Sequence, residues 1–217
     1  MRIIIDGNIG CGKSTVIKSI SNRLSMLKVI QENVDDWEPY LKSFYNDMKQ
    51  NSLQFQMKVL EHHLKSGNET KNDKFSIHER SLLSCVNIFG RDLYNSGFLK
   101  ELDMNLMNSY CNNFGWIPDI IIYLKADTDV CYNRCLKRNR DGEESIPRQY
   151  LENINKLYDD YYLVNGEIKD NNSLSLGANW YLLNDKPVKV YTINANQHVN
   201  NVSVDTLRII KEIINNH

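Results

Sequence analysis

Residues 7–15, GNIGCGKST, decide the fold class of this chain. They match the phosphate-loop pattern G-x-x-x-x-G-K-[ST] at all of its fixed positions, which are Gly7, Gly12, Lys13 and Ser14. The apolar run at 3–5 predicts a buried strand before the loop, and the apolar periodicity from Thr15 predicts a helix after it. Glycines let the backbone turn its N–H groups toward a phosphate, and the helix adds its positive end. These features indicate a nucleoside triphosphate site with Lys13 at the outer phosphates and Ser14 on Mg²⁺.

Predicted strands and helices alternate along the rest of the chain. The strands are expected at 2–6, 27–31, 74–78, 119–124 and 188–193, with helical patterns between them. This alternation is typical of a parallel sheet that is covered by helices on both faces. The sequence therefore predicts an α/β fold with a five-stranded parallel sheet, in a single domain over residues 1–217. Asn-rich stretches at 66–73 and 165–179 are expected to be exposed loops.

The composition restricts the class of protein. The 217 residues are 41% hydrophobic, enough for a sizeable core, and the net charge is −1. That charge argues against a protein that coats nucleic acid or an anionic membrane. Five cysteines without a CxxC pair favour free thiols in a reducing compartment. The chain opens with a core strand rather than a signal peptide, and no apolar run approaches the ~20 residues of a membrane span. The expected location is the cytoplasm.

Ligands of open α/β sheets bind at the carboxyl ends of the strands, so the residues after each predicted strand matter most. Glu32 follows the second strand, and Glu79 and Arg80 follow the third. An arginine-rich segment follows the fourth strand and carries Arg134, Arg138, Arg140 and Glu143. Each of these residues also has an ordinary structural explanation, because acids after strands often cap helices and arginines at a helix end often face solvent. Acids and arginines grouped around one phosphate loop nevertheless indicate phosphoryl transfer.

These motifs resemble those of the deoxynucleoside kinases, the family of deoxycytidine, deoxyguanosine and mitochondrial thymidine kinases and the multisubstrate insect enzyme. The resemblance covers about residues 1–163 and, more thinly, the last strand. Beyond the loop it rests on the E-x-x-x-x-W of Glu32–Trp37, on Tyr45 with Phe55-Gln56, on Glu79–Ser81 with Phe89, and on the lid pattern from Arg134 to Leu151. It implies the P-loop nucleoside-kinase fold with a short Arg-rich lid at about 134–146.

The resemblance also implies roles on the phosphate-donor side. Glu32 would be the general base that takes the proton of the nucleoside 5′-hydroxyl, and its ordinary pKa of about 4.3 would leave it ionised. Arg80 would act with Lys13 and steady both Glu32 and the transferred phosphoryl group. Mg²⁺ would be held by Ser14 and Glu79, since no separate Walker B aspartate is evident. ATP would contact Gly7, Asn8, Gly10, Cys11, Gly12, Lys13, Ser14, Thr15 and the lid arginines Arg134, Arg138 and Arg140. Asp35 and Asp36 are rival carboxylates, but they lie past the strand end.

On the acceptor side, the resemblance implies that Trp37, Phe55 and Phe89 form a flat apolar slot for the nucleobase. The Gln56 amide offers a donor and an acceptor to the base edge, and it can flip to suit either pyrimidine. Tyr45 and Glu143 would bind the sugar 3′-hydroxyl. For the three aromatic residues, ordinary core packing is the alternative.

Two positions depart from the family pattern. His63 and Cys85 stand where the cytidine- and purine-preferring members carry an Arg and an Asp. That Arg–Asp pair crowds the pyrimidine 5-position, so its absence favours a roomier pyrimidine site that accepts thymidine. After the last strand, a loop near Gln197–Val199 would contact the ATP base. A homodimer is also implied, through a four-helix contact for which 82–94 and 98–111 offer apolar faces, although those faces could equally be internal core.

Two other functions are compatible with the loop. A nucleoside monophosphate kinase of the thymidylate type would share the fold, but Glu32 would repel the phosphate of its acceptor. A non-catalytic relative would be expected to lose the base or the lid, whereas Glu32, Arg80 and the lid arginines are all present. The sequence therefore predicts ATP-dependent phosphorylation of a deoxyribonucleoside 5′-hydroxyl, a salvage step for DNA precursors, with a pyrimidine preference or a broad one.

Overall fold

The computed structural model describes residues 1–139, 146–164, 167–170, 177–183 and 186–217. Its strands are β1 Arg2–Asp6, β2 Lys28–Ile30, β3 Ser76–Glu79, β4 Ile120–Lys125, β5 Glu167–Asp170, β6 Gly177–Leu183 and β7 Lys186–Asn194. Its helices are α1 Lys13–Ser21, α2 Glu38–Asn46, α3 Met48–Glu69, α4 Leu82–Ser84, α5 Arg91–Asn95, α6 Glu101–Phe114, α7 Thr128–Arg138, α8 Arg148–Asp159 and α9 Val199–Asn215. A 3₁₀ turn, Val34–Trp37, leads into α2, and π-helical turns at Cys85–Gly90 and Asp160–Val164 continue α4 and α8.

The described strands form one sheet in the order β2-β3-β1-β4-β7-β6-β5. β1 lies between β3 and β4 and is parallel to both, β2 is parallel to β3, and β7 is parallel to β4. The predicted five-stranded parallel sheet is therefore confirmed. Each predicted strand also begins and ends within two residues of the observed bounds.

The outer edge of the sheet differs from the prediction. β6 pairs antiparallel with β7, from Gly177 opposite Thr192 to Leu183 opposite Lys186, and β5 pairs antiparallel with β6. The expectation of a loop over 165–179 was therefore wrong for the residues in these two strands. The polar composition of the segment suggested exposure, but backbone pairing of β5 with β6 and of β6 with β7 satisfies N–H and C=O groups of these strands without requiring an apolar side-chain pattern.

Helices cover both faces of the sheet, and the apolar side chains of β1 alternate between the two cores. Ile3 and Ile5 pack in a core with Val16 of α1 and Ile210 of α9. Ile4 points to the opposite core, which contains buried side chains of α3, α6 and α8. All three isoleucines are fully buried. The phosphate loop thus begins at the end of a strand whose isoleucines are buried on both faces of the sheet.

A second predicted loop, at 66–73, begins later than expected because α3 continues to Glu69. Gly67 faces the indole of Trp116, which would lie 2.0 Å from any added Cβ. The indole Nε1 donates to the His63 carbonyl at 2.8 Å. This long-range contact holds the last helical turn in place, and the polar sequence alone gave no sign of it.

No helix in the described part of the chain combines the length and apolar character that crossing a membrane requires.

Candidate active site

The phosphate loop connects β1 to α1, which begins at Lys13. Gly10 has a φ of +80°, and a Cβ there would lie 2.4 Å from the carbonyl oxygen of Cys131 on α7. Only glycine fits this position, because both the backbone conformation and the close approach of α7 exclude a side chain. The loop is therefore shaped by contact with the neighbouring helix as well as by its own sequence.

The predicted loop residues divide into two groups. Those that line a cleft of about 260 Å³ are Gly10, Gly12, Lys13, Ser14 and Thr15. Those that lie behind its surface are Gly7, Asn8 and Cys11. Lys13 Nζ donates to the carbonyls of Gly7 and Asn8 at 3.0 and 2.8 Å, and so sits inside the loop. The Asn8 side chain donates to Leu151 O and Asn155 Oδ1 of α8, which ties the loop to that helix.

Ser14 and Glu79, the two residues predicted to hold Mg²⁺, are in contact in the wall of the cleft. The Ser14 hydroxyl donates to Glu79 Oε1 at 2.7 Å. A hydroxyl and a carboxylate are oxygen donors of the kind that Mg²⁺ prefers, and Mg²⁺ commonly uses only one or two carboxylates beside phosphate oxygens. The pair therefore fits the predicted metal, although within the described residues no cluster of three His, Cys, Asp or Glu side chains suits a metal ion.

Glu32 and Arg80 form an ion pair beside the phosphate loop. Arg80 Nη1 donates to Glu32 Oε2 at 2.5 Å, and the side chains are only 12% and 10% exposed respectively. Adjacent parallel strands bring them together, since Glu32 follows β2 and Arg80 follows β3. The rival carboxylates Asp35 and Asp36 are exposed.

The pKa of Glu32 differs from the ordinary value expected from sequence. Burial raises the pKa of this carboxyl, and the nearby Glu79 and Asp6 raise it further, while Arg80 and Lys13 act in the opposite direction. The pKa of Arg80 is raised well above its usual range by Glu32 and other neighbours despite its burial, so it stays charged. A base whose pKa lies closer to neutrality accepts a proton more readily.

The aromatic residues predicted for the nucleobase slot line the same cleft. Trp37, Phe55 and Phe89 contribute its apolar walls, and Tyr45 and Gln56 contribute polar groups. Phe55 stacks on Phe44 with ring centroids 5.0 Å apart. The Arg80 Cζ lies 4.8 Å from the centroid of the Phe89 ring. The cleft therefore runs from the phosphate loop, past Glu32 and Arg80, into an aromatic compartment.

Gln56 is held by Cys85, one of the two positions that depart from the family pattern. The Cys85 thiol donates to Gln56 Oε1 at 3.4 Å, and both side chains are buried. Burial raises the pKa of Cys85 well above its usual range, so it keeps its proton and remains a donor. His63 lies next to them on α3, with its Nε2 3.9 Å from Glu32 Oε1 and without a hydrogen-bond partner within the described ranges. Burial lowers the pKa of His63 well below its usual value, so the ring is neutral.

The predicted lid arginines occupy different places. Arg138 lines the cleft. Arg134 instead donates to the carbonyls of Cys11, Ala195 and Gln197 at 3.0–3.1 Å, which joins the phosphate loop to the loop before α9. The predicted ATP-base loop near Gln197–Val199 therefore lies against the phosphate loop. The other two predicted lid residues, Arg140 and Glu143, lie outside the described residues.

Sequence reasoning missed several residues of the site. The cleft is also lined by Ile9, Val34, Leu41, Phe44, Val59 and Tyr150. Most are apolar and follow ordinary helical spacing, so no sequence signal separates them from core residues. Asp6 was missed as well: it is fully buried and accepts hydrogen bonds from the hydroxyls of Tyr158 and Tyr162. Its position directly before the phosphate loop is the signal that could have drawn attention to it.

Comparisons with known proteins agree with this geometry. A family model described as "Deoxynucleoside kinase" matches residues 3–217. The chain is 35% identical over 159 residues to "Putative kinase protein 029R" of Invertebrate iridescent virus 3, covering 72% of this chain and 80% of that protein. It is 31% identical over 178 residues to human mitochondrial thymidine kinase 2, covering 76% of this chain and 65% of that protein.

A solved structure gives the same answer. Deoxyadenosine kinase from M. mycoides, with the products dCMP and a flexible dCDP bound, superposes with a TM-score of 0.77 at 28% identity over 100% of both chains. The parallel sheet, the phosphate loop and the match along almost the whole sequence lead to one conclusion: the chain belongs to the deoxynucleoside kinase family.

Proposed function

We propose that this deoxynucleoside kinase transfers the γ-phosphoryl group of ATP to the 5′-hydroxyl of a pyrimidine deoxyribonucleoside, with Glu32 as the general base. The observation that carries this proposal is the position of the Glu32–Arg80 pair. It lies in the cleft between the phosphate loop and the aromatic compartment formed by Trp37, Phe55 and Phe89. A nucleoside hydroxyl that attacks the γ-phosphorus would lie at that junction.

The paired carboxylate can take the proton of the attacking hydroxyl. Arg80 occupies Oε2 of Glu32, which leaves Oε1 available to the 5′-hydroxyl. As the hydroxyl oxygen bonds to the γ-phosphorus, its proton passes to Glu32 and the bond from the γ-phosphorus to the bridging oxygen of ADP breaks. Burial of Glu32 raises its pKa and so increases its basicity, while the Arg80 charge favours its ionised form. Arg80 would also stabilise the charge on the phosphoryl group in transfer.

The donor side of the cleft would hold the triphosphate. The N–H groups of the phosphate loop and the Lys13 ammonium would contact the phosphates, assisted by Arg138 and by the predicted lid residue Arg140. Ser14 and Glu79 would hold Mg²⁺, their hydrogen bond giving way to coordination. When bound, Mg²⁺ supplies positive charge that neutralises the β- and γ-phosphate oxygens.

The acceptor side favours a pyrimidine. Gln56 is the buried amide in an otherwise largely aromatic compartment, and an amide provides the donor and acceptor that a pyrimidine edge requires. His63 and Cys85 leave out the charged pair that crowds the pyrimidine 5-position in other family members. We therefore include thymidine among the substrates. Tyr45, together with the predicted residue Glu143, would bind the sugar.

Two copies of the chain would pair through α6. Its outer face carries four exposed apolar side chains at helical spacing, Leu102, Leu106, Tyr110 and Phe114, with exposures of 78%, 43%, 40% and 65%. A groove against α3, lined by Met57, Leu64 and Tyr110, continues this face. The segment 82–94, the other predicted contact, contributes mainly to the internal core through side chains such as Val86 and Ile88.

The five free cysteines suit the reducing cytoplasm that we propose as the location.

One assay tests the substrate class directly. Formation of ADP is measured with ATP and Mg²⁺ against each of the four deoxynucleosides and each deoxynucleoside monophosphate. We expect thymidine and deoxycytidine to have the highest kcat/KM and the monophosphates to give no turnover. A monophosphate as the best acceptor would overturn the proposal, and a purine as the best acceptor would overturn its base preference.

A further inference from the structure

Asn8, the second residue of the phosphate loop, lies behind the surface of the cleft and is fully buried. Its side-chain oxygen accepts from the backbone N–H of Ile9 at 2.8 Å. Its side-chain nitrogen donates to the Leu151 carbonyl oxygen at 2.8 Å and to Asn155 Oδ1 at 2.6 Å. Both of these acceptors belong to α8. The Asn8 side chain therefore anchors the loop to this helix.

Asn155 extends the anchor to a third part of the fold. Its Nδ2 donates to the Ala126 carbonyl oxygen at 3.0 Å and to Thr128 Oγ1 at 3.1 Å. Ala126 follows β4, and Thr128 is the first residue of α7, the helix that carries Arg138 of the cleft. One side chain of α8 thus joins the phosphate loop to the end of β4 and to the start of α7.

Backbone groups at the two ends of this network fix the orientation of both amides. The Ala126 carbonyl can only accept, so Asn155 turns its nitrogen to that group and its oxygen to Asn8. The Ile9 N–H can only donate, so Asn8 turns its oxygen to that group and its nitrogen to Asn155. An ionised aspartate at either position would place an oxygen against a carbonyl oxygen, of Ala126 or of Leu151. The arrangement is therefore specific to asparagine at both positions.

The peptide unit that Asn8 anchors also holds the lysine of the phosphate loop. The Asn8 carbonyl and the Ile9 N–H belong to one planar trans peptide and point in opposite directions. The N–H bonds the Asn8 side chain, and the carbonyl oxygen accepts from Lys13 Nζ at 2.8 Å. The same ammonium donates to the Gly7 carbonyl oxygen at 3.0 Å. The orientation of this peptide thus connects the amide network on one side to Lys13 on the other.

We propose that Asn155 is a positioning residue for the phosphate donor, which acts through Asn8 to set the place of the Lys13 ammonium in the phosphate loop. The inference rests on the proposed contact between Lys13 and the phosphates of ATP. It does not require Asn155 to touch ATP or nucleoside. It makes α8, which follows the predicted lid, part of the support of the donor site.

The same helix provides a matched control. Asn153 is exposed, and its Oδ1 accepts from Gln149 one turn earlier. The dissociation constants of Mg²⁺–ATP and of the best nucleoside acceptor are measured separately by calorimetric titration. We expect Asn155→Ala to raise the Kd of ATP by roughly three- to tenfold, the effect of losing one hydrogen bond, and to leave the Kd of the nucleoside within about twofold. Asn153→Ala should leave both values within about twofold.

Two results of this titration would overturn the proposal. One is an unchanged Kd of ATP in Asn155→Ala, and the other is an equal rise in Kd for both ligands, which would show only a general loosening of the fold. Asn155 is half-buried, so water can reach the groups that alanine leaves without a partner. If Asn155→Ala nevertheless fails to fold, Asn155→Leu removes the same hydrogen bonds while filling the space, and the same expectations apply to it.

Two further variants test whether the effect passes through Asn8. Thr128→Val removes a hydrogen bond of Asn155 to α7 but keeps the one to Asn8, so the Kd of ATP should stay within about twofold of wild type. In an Asn8→Ala background, adding Asn155→Ala should change the Kd of ATP by less than about twofold, because the link is already broken. An undiminished change in that background, or a loss in Thr128→Val equal to that in Asn155→Ala, would contradict the proposal.

A spectroscopic measurement separates this inference from the proposed function. The ¹⁵Nζ resonance of Lys13, assigned by its loss in Lys13→Arg, is recorded without ligand in the wild-type protein, in Asn155→Ala and in Asn153→Ala. It should shift in Asn155→Ala only, and an unchanged resonance there would overturn the inference whatever the activity. A wild-type protein that binds no ATP would instead overturn the proposed function and leave the positioning of Lys13 to this spectrum.

Discussion

The phosphate loop and the nucleobase compartment share one cleft, but they are built in different ways. The loop is shaped by its backbone: Gly7, Gly10 and Gly12 have φ values of +142°, +80° and +108°. The base compartment is shaped by side chains, with Phe55 and Gln56 supplied by α3 and others by α2 and the turn after α4. A backbone shape restricts which residue types can occupy a position, whereas a wall of side chains can be relined by substitution. A short sequence motif therefore identifies the part of the site that binds the phosphate donor, whereas no short motif identifies the part that binds the nucleoside.

The largest effect is expected at Glu32, where the two halves meet. Glu32→Gln keeps the size of the side chain but cannot take a proton, so kcat should fall by ~10²–10⁴-fold while nucleoside affinity is retained. Single-turnover kinetics and equilibrium nucleoside binding check both parts. Asp35→Asn, an exposed carboxylate after the same strand, serves as the control. More than about a third of wild-type turnover in Glu32→Gln, with chemistry rate-limiting, would show that the base lies elsewhere.

The dependence of the donor half on its backbone can be tested at Gly10. Gly10→Ala combines a left-handed φ with a clash against Cys131 O, whereas Gly97→Ala has a φ of +74° with no atom within 4 Å of its Cβ. Both should lose about 1–2 kcal/mol of stability from backbone strain, and Gly10→Ala more, because of the clash. Only Gly10→Ala should raise the KM for ATP, by roughly tenfold. Urea unfolding measures the stability of both variants, and steady-state kinetics measure their KM for ATP. If the two variants had equal losses of stability and equal KM values, the close approach of α7 to Gly10 would not explain the effect.

The double substitution His63→Arg and Cys85→Asp tests whether side chains at these positions control substrate preference in the nucleobase compartment. The two new charges are buried side by side and should project an ion pair toward the pyrimidine 5-position. We expect the transition state for thymidine to lose ~1–3 kcal/mol relative to that for deoxycytidine. Ratios of kcat/KM for the two nucleosides give this number. An unchanged ratio would mean that these two positions do not form the wall next to the base.

The smallest effect on kcat is expected at the outer face of α6, because no residue of this helix lines the cleft. Leu106→Glu should convert a homodimer into a monomer, because it places a charge in an apolar contact, while kcat changes by less than about twofold. Sedimentation at micromolar concentration reports the association state. Val204→Glu, at a similarly exposed apolar residue of α9, should leave it unchanged. A wild-type protein that sediments as a monomer would end this part of the proposal.

Much of the fold follows from the sequence for a physical reason. Strands such as Ile3–Ile5 are buried on both faces and so read as continuous apolar runs, and glycines at positive φ leave little choice of residue. Strand β6 and the last turn of α3 were missed because each depends on a distant partner, β7 for the strand and Trp116 for the turn.

The site was less accessible to prediction. The structure brings Glu32, Arg80, Gln56 and the aromatic residues to one cleft, but their roles remain predictions. The raised pKa of Glu32 arises from burial and from Asp6 and Glu79, which come from different strands. Arg134 carries the motif of a lid residue, yet its contacts are with backbone carbonyls. Such effects arise from groups that are far apart in sequence.

Helix α3 has a further consequence, which concerns how such a protein can evolve. Gln56 and His63 lie on one side of this helix, and Met57, Glu61 and Leu64 lie about a quarter of a turn to almost half a turn away, along the groove next to α6. Mutations on the two sides are thus exposed to different selection pressures. A lineage can change its substrate without disturbing the outer surface, or replace the outer surface while keeping its substrate. Descendants of one ancestral gene could therefore diversify in nucleoside preference while retaining a common quaternary arrangement.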